Sequence, residues 1–210
     1  DLLAFSYYLT IGLMDEAYRS VKKISSTTIW ENFAHSCVRT RRLDVAEVCL
    51  GNMGNARGAK AVREAKKEPE KEAQVAQLAI QLNLLDDAER LYKECGRYDL
   101  LVQLYIASGR WKDALKICSK YCRILLKTTH YQYARHLEHL GDTVQAIKNY
   151  EKSETHKHEV PRMLFDSQHI ADLEQYIKAS DDPALITWWA QYCESNGSYD
   201  EAVKYYTQAK

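Results

Sequence analysis

The sequence predicts an all-α fold, specifically a right-handed α-solenoid of stacked antiparallel helix pairs, and two observations support this prediction. A glycine followed five residues later by an alanine recurs along the chain, at Gly12/Ala17, Gly109/Ala114, Gly141/Ala146 and Gly197/Ala202. Apolar residues at helical spacing stand on both sides of each glycine, as in LVQLYIASGRWKDALKIC at 101–118. Two short amphipathic helices joined by a glycine turn cannot bury their own apolar faces. Such units stack on neighbours like themselves, which is the signature of a repeat array.

The composition is that of a folded protein without an electrostatic preference for nucleic acid. The 210 residues are 46% hydrophobic and 28% charged, which excludes a disordered chain. Lys and Arg number 29, as do Asp and Glu, so the net charge is zero and no basic stripe for nucleic acid is indicated. No apolar run approaches the roughly 20 residues of a membrane helix, so we expect no direct membrane insertion. The chain opens on Asp1 in a helical pattern, and we expect residues 1–210 to be a single solenoid segment of a longer chain.

The first two helix pairs follow from residues 1–50. Apolar residues at a spacing of three or four predict one helix on each side of Gly12. Ser25-Ser26-Thr27-Thr28 then supplies side-chain oxygens that cap the next helix. The second pair turns at Arg41-Arg42, where a glycine would be expected. Arg41 still precedes Ala46 by five residues, so the register of the array continues.

The segment from 51 to 69 is irregular, and two interpretations compete for it. It carries Gly51, Gly54 and Gly58 and then AKAVREAKK, whose apolar stripe is thin. The segment is either a solvated helix within the stack or a flexible spacer. We favour the helix, because Ala, Arg, Glu and Lys are strong helix formers and opposite charges stand three or four residues apart. The following pair turns at Asn83, five residues before Ala88.

The spacing of the repeats predicts two extra helices in the second half of the chain. The marker alanines are separated by 29, 42, 26, 32 and 56 residues, and the last interval exceeds a helix-pair period of about 34 residues by about 22. We therefore predict short helices at 160–165 and 169–177, within an irregular segment at 153–183. His156 and His158 are placed in a polar loop of that segment, and Asp181-Asp182-Pro183 caps the last pair. Upstream, the helix that contains Cys118 is predicted to continue through Leu125.

The pattern resembles the tetratricopeptide repeat over nearly the whole chain, although each unit keeps only part of the consensus. In such repeats the points where helices cross take small side chains, and the gaps between them take aromatic ones. This accounts for the 15 tyrosines without an aromatic ligand site. The residues assigned to repeat packing are Gly12, Ala17, Ala46, Ala88, Gly109, Ala114, Gly141, Ala146, Gly197 and Ala202.

No group of residues indicates catalysis, a metal or a cofactor. A zinc site can be drawn from Cys118, Cys122, His130, His136 and His139, but the spacing is not of the C-x2-C type and a stacked array needs no metal to fold. No glycine-rich phosphate loop, nucleophile elbow or HExxH motif occurs in the sequence. The six cysteines are irregularly spaced at mostly apolar positions, which indicates reduced core thiols of a cytosolic protein. We expect a protein that is not an enzyme and that holds no cofactor.

A stacked array has one surface suited to binding, the concave side formed by the first helices of successive pairs. Counted from the turn glycines, the side chains expected there either contact a partner or are simply hydrated; they are Asp99, Gln103, Tyr131, Arg135, Glu138, Thr187, Gln191 and Glu194. Trp188 beside Trp189 is a further candidate, because only one of two adjacent indoles fits into the core of its own pair. The other packs on the preceding pair, covers the extra helices or meets a partner.

Three stretches go beyond a generic repeat: WENFAHSCVRTRRLDVAEVCLGNMGNARGAKAVREA at 30–65, YEKSETHKHEVPRML at 150–164 and WWAQYCESNGSYDEAVKYY at 188–206. They closely resemble the C-terminal solenoid of the intraflagellar transport protein 140 family, subunits of complex A. The Gly51-Asn52-Met53-Gly54 turn and the segment 159–163 are the most specific marks.

The resemblance implies a binding scaffold whose partners are other complex A subunits and, indirectly, dynein-driven transport trains and ciliary membrane cargo. It implies a role in retrograde transport and in ciliary entry of membrane cargo, in the cytoplasm, at the ciliary base and along the axoneme.

Periodicity alone leaves other binding proteins open, namely a generic tetratricopeptide adaptor or a vesicle-coat-type solenoid that binds partner peptides or helices. An adaptor for peptide tails would need a clamp of Lys, Asn and Arg on the concave side. Tyr131, Arg135 and Glu138 do not form such a clamp.

Overall fold

Within residues 1–24 and 26–209, which the computed structural model describes, the chain forms fifteen α-helices, one short 3-10 helix and no β-strand. The predicted all-α fold is confirmed. The helices group into two compact units that divide between Ser108 and Gly109, within the 101–118 stretch. The continuity of 1–210 as one solenoid segment stays a prediction.

The first unit contains eight helices in its described residues. They are α1 (Leu2–Ile11), α2 (Met14–Val21), α3 (Thr27–Thr40), α4 (Leu43–Asn52), α5 (Ala56–Ala65), α6 (Lys71–Gln81), α7 (Leu85–Glu94) and α8 (Tyr98–Ala107). Three antiparallel pairs are formed by α1 with α2, α3 with α4, and α6 with α7, while α5 packs against both α4 and α6 and α8 packs on α7. The rings of Phe5 and Phe33 meet edge to face with centroids 5.4 Å apart, which joins the first pair to the second.

The second unit consists of three complete helix pairs preceded by one helix. Its helices are α9 (Trp111–Tyr121), the 3-10 helix Arg123–Leu125, α10 (Leu126–His139), α11 (Thr143–Lys152), α12 (His156–Asp166), α13 (Ile170–Lys178), α14 (Pro183–Ser195) and α15 (Tyr199–Gln208). The pairs are α10 with α11, α12 with α13, and α14 with α15, and α9 packs on α10. One continuous core runs through all three pairs, and Tyr150, Met163, Leu173 and Leu185 are among its most deeply buried members.

One turn geometry recurs ten times in the described chain. Each of these turns contains one residue in the left-handed conformation, and the next helix begins two residues later; the left-handed residues are Gly12, Arg41, Gly54, Asn83, Gly96, Gly109, Gly141, Glu154, Gln168 and Gly197. In at least nine of these turns, the amide after the left-handed residue donates back into the preceding helix, as Leu13 does to Tyr8 O and Ser198 does to Cys193 O, both at 2.9 Å. This is the Schellman arrangement, which satisfies carbonyls at a helix end.

The residue five positions after the left-handed one is apolar and buried at nine of the ten turns, and it is alanine at seven of them. Ala17, Ala46, Ala88, Ala114 and Ala146 are completely buried, and Ala202 is nearly so. The amide of this residue donates to the carbonyl of the residue before the helix, as Ala146 does to Asp142 O at 3.0 Å. The side chain therefore lies in the first turn, where a small volume lets the neighbouring helix approach closely. Ala59, Leu101 and Leu173 occupy the same place after Gly54, Gly96 and Gln168, turns at which the sequence pattern was not recognised.

The segment from 51 to 69 forms a helix, as favoured from its composition. Helix α5 buries Gly58, Ala59, Val62 and Ala65, so its apolar stripe, although thin, faces α4 and α6. Its start is capped by Asn55, whose side chain accepts a hydrogen bond from the Gly58 amide at 2.8 Å.

The capping predictions have mixed outcomes. Asp182 caps α14 by accepting from the Ala184 amide at 2.9 Å, with Pro183 as the first helical residue. Ser26 precedes α3, but its side chain makes no capping hydrogen bond, and Ser25 lies outside the described residues.

The prediction of one helix from Cys118 through Leu125 is wrong. Helix α9 ends at Tyr121, since Cys122 has φ −131° and ψ 60°, and Leu125 N donates to Cys122 O at 2.9 Å to close a 3-10 turn. Ile124 is 93% exposed. The apolar residues at 122–125 thus do not continue the buried stripe of α9, although their spacing suggested that they did.

The predicted polar loop around His156 and His158 is also wrong, because both residues lie in the first turn of α12. The two extra helices predicted at 160–165 and 169–177 are present as α12 and α13. Burial of Val160, Met163 and Leu164 fixes the inner face of α12. The first turn of that helix is polar, and so it carries no hydrophobic signal of its own.

The turn geometry predicts opposite effects for two glycine exchanges. Gln168 has φ 59° and Gly197 has φ 78°, and an L-residue in this conformation costs about 1–2 kcal/mol, which the backbone entropy of glycine partly offsets. We expect Gln168→Gly to raise the free energy of unfolding by up to about 1 kcal/mol and Gly197→Gln to lower it by about 1 kcal/mol. No heavy atom of the described chain lies within 4 Å of a Cβ placed on Gly197, so steric overlap does not contribute. Urea denaturation measures both changes, and changes of the same sign would contradict this account.

The burial of the marker alanines predicts that enlarging one of them overpacks a helix crossing. Ala114 is completely buried, and we expect Ala114→Trp to lower stability by about 1–3 kcal/mol. Lys112→Trp, at an exposed position in the same turn of α9, serves as the control and leaves the thermal midpoint nearly unchanged. Equal midpoints for both variants would contradict the assigned register.

Candidate partner-binding surface

Most of the residues predicted for the concave side lie on two helices of the second unit. Tyr131, Arg135 and Glu138 stand on α10 at relative positions i, i+4 and i+7, and Thr187, Gln191 and Glu194 stand on α14 with the same spacing. This spacing places each set on one side of its helix. Asp99 and Gln103 lie on α8 in the first unit.

Helix α12 links the two sets. Its Arg162 binds Glu138 of α10, and its Phe165 meets Trp188 of α14. The first helices of the three pairs therefore form one surface, which we call the α10/α12/α14 face. Sequence analysis placed the interior of this face in an irregular insertion, and so it missed α12 as a contributor.

Arg162 is the centre of an ion-pair network on this face. Its guanidinium binds Glu138 through two hydrogen bonds of 2.8 and 3.0 Å, and its Nε donates to Glu159 at 2.9 Å. Asp166 is a third acidic neighbour, at 3.3 Å. A two-pronged contact between a guanidinium and a carboxylate fixes orientation as well as distance. The network thereby holds α12 against α10 in one register.

The same network extends inwards to a buried tyrosine. Tyr150 of α11 is completely buried and its hydroxyl donates to Glu138. Burial and this hydrogen bond together raise the pKa of Tyr150. Burial alone would raise the pKa of Glu138, but the hydrogen bonds from Arg162 and Tyr150 outweigh it and hold the pKa below its ordinary value of 4.5. Glu138 is thus an ionised group that joins three helices.

Trp188 belongs to an aromatic cluster on the α10/α12/α14 face. Its indole stacks on Tyr192 with a centroid distance of 5.9 Å, and Phe165 meets both rings edge to face at 6.2 and 5.9 Å. Trp189 points into the core and is only 5% exposed. Trp188 packs against the extra pair through Phe165 and is only partly buried, so its contact with a partner stays a prediction. Phe165 remains 47% exposed, so the cluster is open at the surface.

A cleft of about 500 Å³ lies beside this cluster, between α12 and α14. Thr187, Trp188 and Gln191 line one wall, and Lys157 and His158 line the other. Lys157 at the start of α12 lies 2.8 Å from Asp182 at the start of α14, and Phe165 near the end of α12 meets Tyr192 in the later part of α14, so the two helices run in the same direction. Three of the residues predicted for the concave side are thereby brought together.

Several of the remaining predicted residues have partners within the protein. Glu194 accepts a hydrogen bond from the Tyr206 hydroxyl at 2.8 Å, and Arg135 lies 3.4 Å from the Tyr131 hydroxyl. In the first unit Gln103 is exposed. Asp99 is held by Arg97, which also binds Glu68 and Glu70 and so ties the α5–α6 connection to the α7–α8 turn.

Sequence reasoning missed Lys157, Arg162 and Phe165, the contributions of α12 to the face. A signal for them existed in the spacing of Glu159, Arg162 and Asp166, which follows one side of a helix. The predicted helix at 160–165 contains Arg162 and Phe165, but with Glu159 outside its predicted bounds the spacing of the three charged residues does not stand out.

The described residues contain no group of three His, Cys, Asp or Glu side chains placed to hold a metal ion. The residues of the zinc alternative have other neighbours: Cys118 Sγ lies 3.3 Å from Thr129 Oγ1, and His130 Nδ1 lies 2.9 Å from Asn149 Oδ1. Cys122 stands outside α9 and so does not share a helical face with Cys118. In the same described part, no helix combines the length and the apolar character needed to cross a bilayer.

A family model that describes the tetratricopeptide repeat (TPR) domain of intraflagellar transport proteins 140 and 172 matches residues 12–210. The match begins at the first turn glycine and includes every helix from α2 to α15. It therefore covers the extra pair α12 and α13 and the whole of the α10/α12/α14 face.

The depressed pKa of Glu138 predicts a defined pH dependence of stability. The carboxyl binds its proton more weakly in the folded than in the unfolded chain, so its stabilising contribution is present above about pH 4.5 and is lost as the pH falls through the folded-state pKa. We expect Glu138→Gln to be less stable than the wild type at pH 7, and the difference to shrink between about pH 5 and pH 3. Urea denaturation of both proteins at several pH values measures this difference in the free energy of unfolding. A constant difference across that range would contradict the assignment.

Proposed function

The chain belongs to the family of TPR domains of intraflagellar transport proteins 140 and 172, as its resemblance to the intraflagellar transport protein 140 family predicted, and from this membership we propose that it is a non-catalytic protein–protein interaction scaffold of intraflagellar transport complex A. Repeat domains of this type bind other proteins along the surface of their stacked helices. The proposed partners are other complex A subunits. Dynein-driven transport trains and ciliary membrane cargo are proposed as indirect partners.

The observation that carries the proposal is the aromatic cluster on the α10/α12/α14 face. Phe165 is held edge to face against Trp188 and Tyr192 and yet is 47% exposed. An apolar group with fixed orientation and open access loses little conformational entropy on binding, and aromatic residues are the commonest anchors of protein interfaces. The ion pairs around Arg162 hold the helix that carries Phe165, so the patch is preorganised.

The electrostatics of the face favour a protein partner over nucleic acid. Arg162, the central cation, is neutralised by Glu138, Glu159 and Asp166. A phosphate backbone requires uncompensated Lys and Arg side chains. The balanced charges of this face instead suit the polar rim of a protein interface.

The proposed role in the cell is retrograde transport along the axoneme and ciliary entry of membrane cargo, with the protein in the cytoplasm, at the ciliary base and in the cilium. Family membership supports this role. The surface supports the more general part of it, which is the binding of partner proteins.

Affinity capture from ciliated cells tests the proposal. We expect the wild-type chain to recover other complex A subunits. The double variant Phe165→Ala/Trp188→Ala should recover at least about tenfold less of them, because both anchors of the patch are removed. The matched control is Tyr199→Ala/Val203→Ala, which removes two side chains of α15 that are 67% and 61% exposed. Circular dichroism checks that all three proteins are folded. Absence of complex A subunits from the wild-type capture, or equal recovery by both variants, would contradict the proposal.

A further inference from the structure

The cleft between α12 and α14 has a chemistry that differs from the rest of the α10/α12/α14 face. Its volume of about 500 Å³ is in the range of natural binding pockets. Trp188 and Pro183 contribute apolar surface to it, and Thr187 and Gln191 contribute polar side chains. Among the described residues that line it, Lys157 and His158 are basic and none is acidic.

Lys157 lines the cleft, and its ammonium has a partner within the protein. Lys157 Nζ lies 2.8 Å from Asp182 Oδ2. The Asp182 side chain is only 18% exposed and also accepts the Ala184 amide, whereas the Lys157 side chain is 45% exposed. The carboxylate is therefore used within the protein, while the ammonium has three donors and can share them with a second acceptor in the cleft.

We propose that the α12/α14 cleft binds a segment of a partner protein that carries one or more carboxylates next to a bulky apolar side chain. The apolar side chain packs on Trp188, and the carboxylates meet Lys157 and His158 at the N-terminal ends of the two helices. This inference rests on the proposed function, since it specifies the chemistry of a partner for the same scaffold.

Charge complementarity selects this occupant over a basic segment. A Lys or Arg side chain entering the cleft meets the ammonium of Lys157 and no acidic lining residue, and like charges at an interface disfavour binding strongly. Gln191 and Thr187 suit the polar backbone of a peptide better than a purely apolar ligand. Thr187 itself is oriented by a hydrogen bond from its hydroxyl to Pro183 O at 2.7 Å.

Fluorescence anisotropy with two synthetic peptides tests the inference on the whole chain. Both peptides carry the same Leu-Phe anchor, flanked by Glu in one and by Lys in the other. We expect the acidic peptide to bind about tenfold more tightly or better, and this preference to decrease with added salt. Trp188→Ala should lower the affinity for the acidic peptide by about tenfold, because it removes the apolar anchor site.

Charge reversal supplies the decisive variants. His158→Glu, which leaves the Lys157–Asp182 pair intact, should reduce the preference for the acidic peptide, and Lys157→Glu/His158→Glu should reverse it. The matched control is Lys178→Glu, because Lys178 is also an exposed lysine paired with a carboxylate, that of Glu174, but on α13. Equal binding of the two peptides, tighter binding of the basic one, binding of neither, or an equal effect of Lys178→Glu would overturn the inference.

The same variants separate this inference from the proposed function. If His158→Glu and Lys157→Glu/His158→Glu change the peptide preference as expected but leave the capture of complex A subunits intact, while Phe165→Ala/Trp188→Ala lowers that capture, the scaffold function stands and the cleft is not the site that those subunits use, which overturns the inference. If the wild-type chain captures no complex A subunit but retains the peptide preference, the proposed function fails and the chemistry of the cleft stands.

Discussion

The hydrogen bond that closes each recurrent turn sets the geometry on which the rest of the structure depends. Helices of about ten residues are marginal by themselves in water. Each turn must therefore direct its second helix back along the first, so that both bury one face. The amide after a left-handed residue returns to a carbonyl of the preceding helix, and the next helix starts at once, as at Gly141 and Gly197. A small buried residue such as Ala146 or Ala202 then stands at a fixed place in its first turn. The cap and the crossing point are thus specified together.

The α10/α12/α14 face follows from that regularity and from one ion-pair network. Backbone geometry aligns α10, α12 and α14, but it does not determine how far each helix is shifted along its axis relative to the next. Arg162 determines it by binding Glu138 in a two-pronged contact, which Tyr150 supports from the core. A polar network of this kind contributes less to stability than to the choice of a single arrangement. The aromatic cluster around Phe165 is held in place by the same register.

Much of the fold could be predicted from the sequence, because the turn and its buried alanine are local features. Arg41 shows that the position in the pattern matters more than the glycine itself, since it adopts φ 57° in the same turn. The break at Cys122 could not be predicted, because the spacing of Ile124 fits a helix and only the absence of a neighbour leaves it exposed. The site was predicted in part. Trp188 and Glu138 were recognised, but their partners Phe165 and Arg162 are distant in sequence, and pairing across helices leaves no local pattern.

The extra pair α12 and α13 has a consequence for how such a chain changes in length. Its two helices are joined by the same turn as those of its neighbours, since the left-handed residues Gly141, Gln168 and Gly197 mark equivalent points inside three consecutive pairs. A pair therefore carries its own capped turn, so that inserting or deleting it leaves the internal turns of its neighbours unchanged. What changes is the outer surface, since each inserted first helix adds its own side chains to the face. Evolution of new binding properties in this architecture is thus modular, with the helix pair as the unit of exchange.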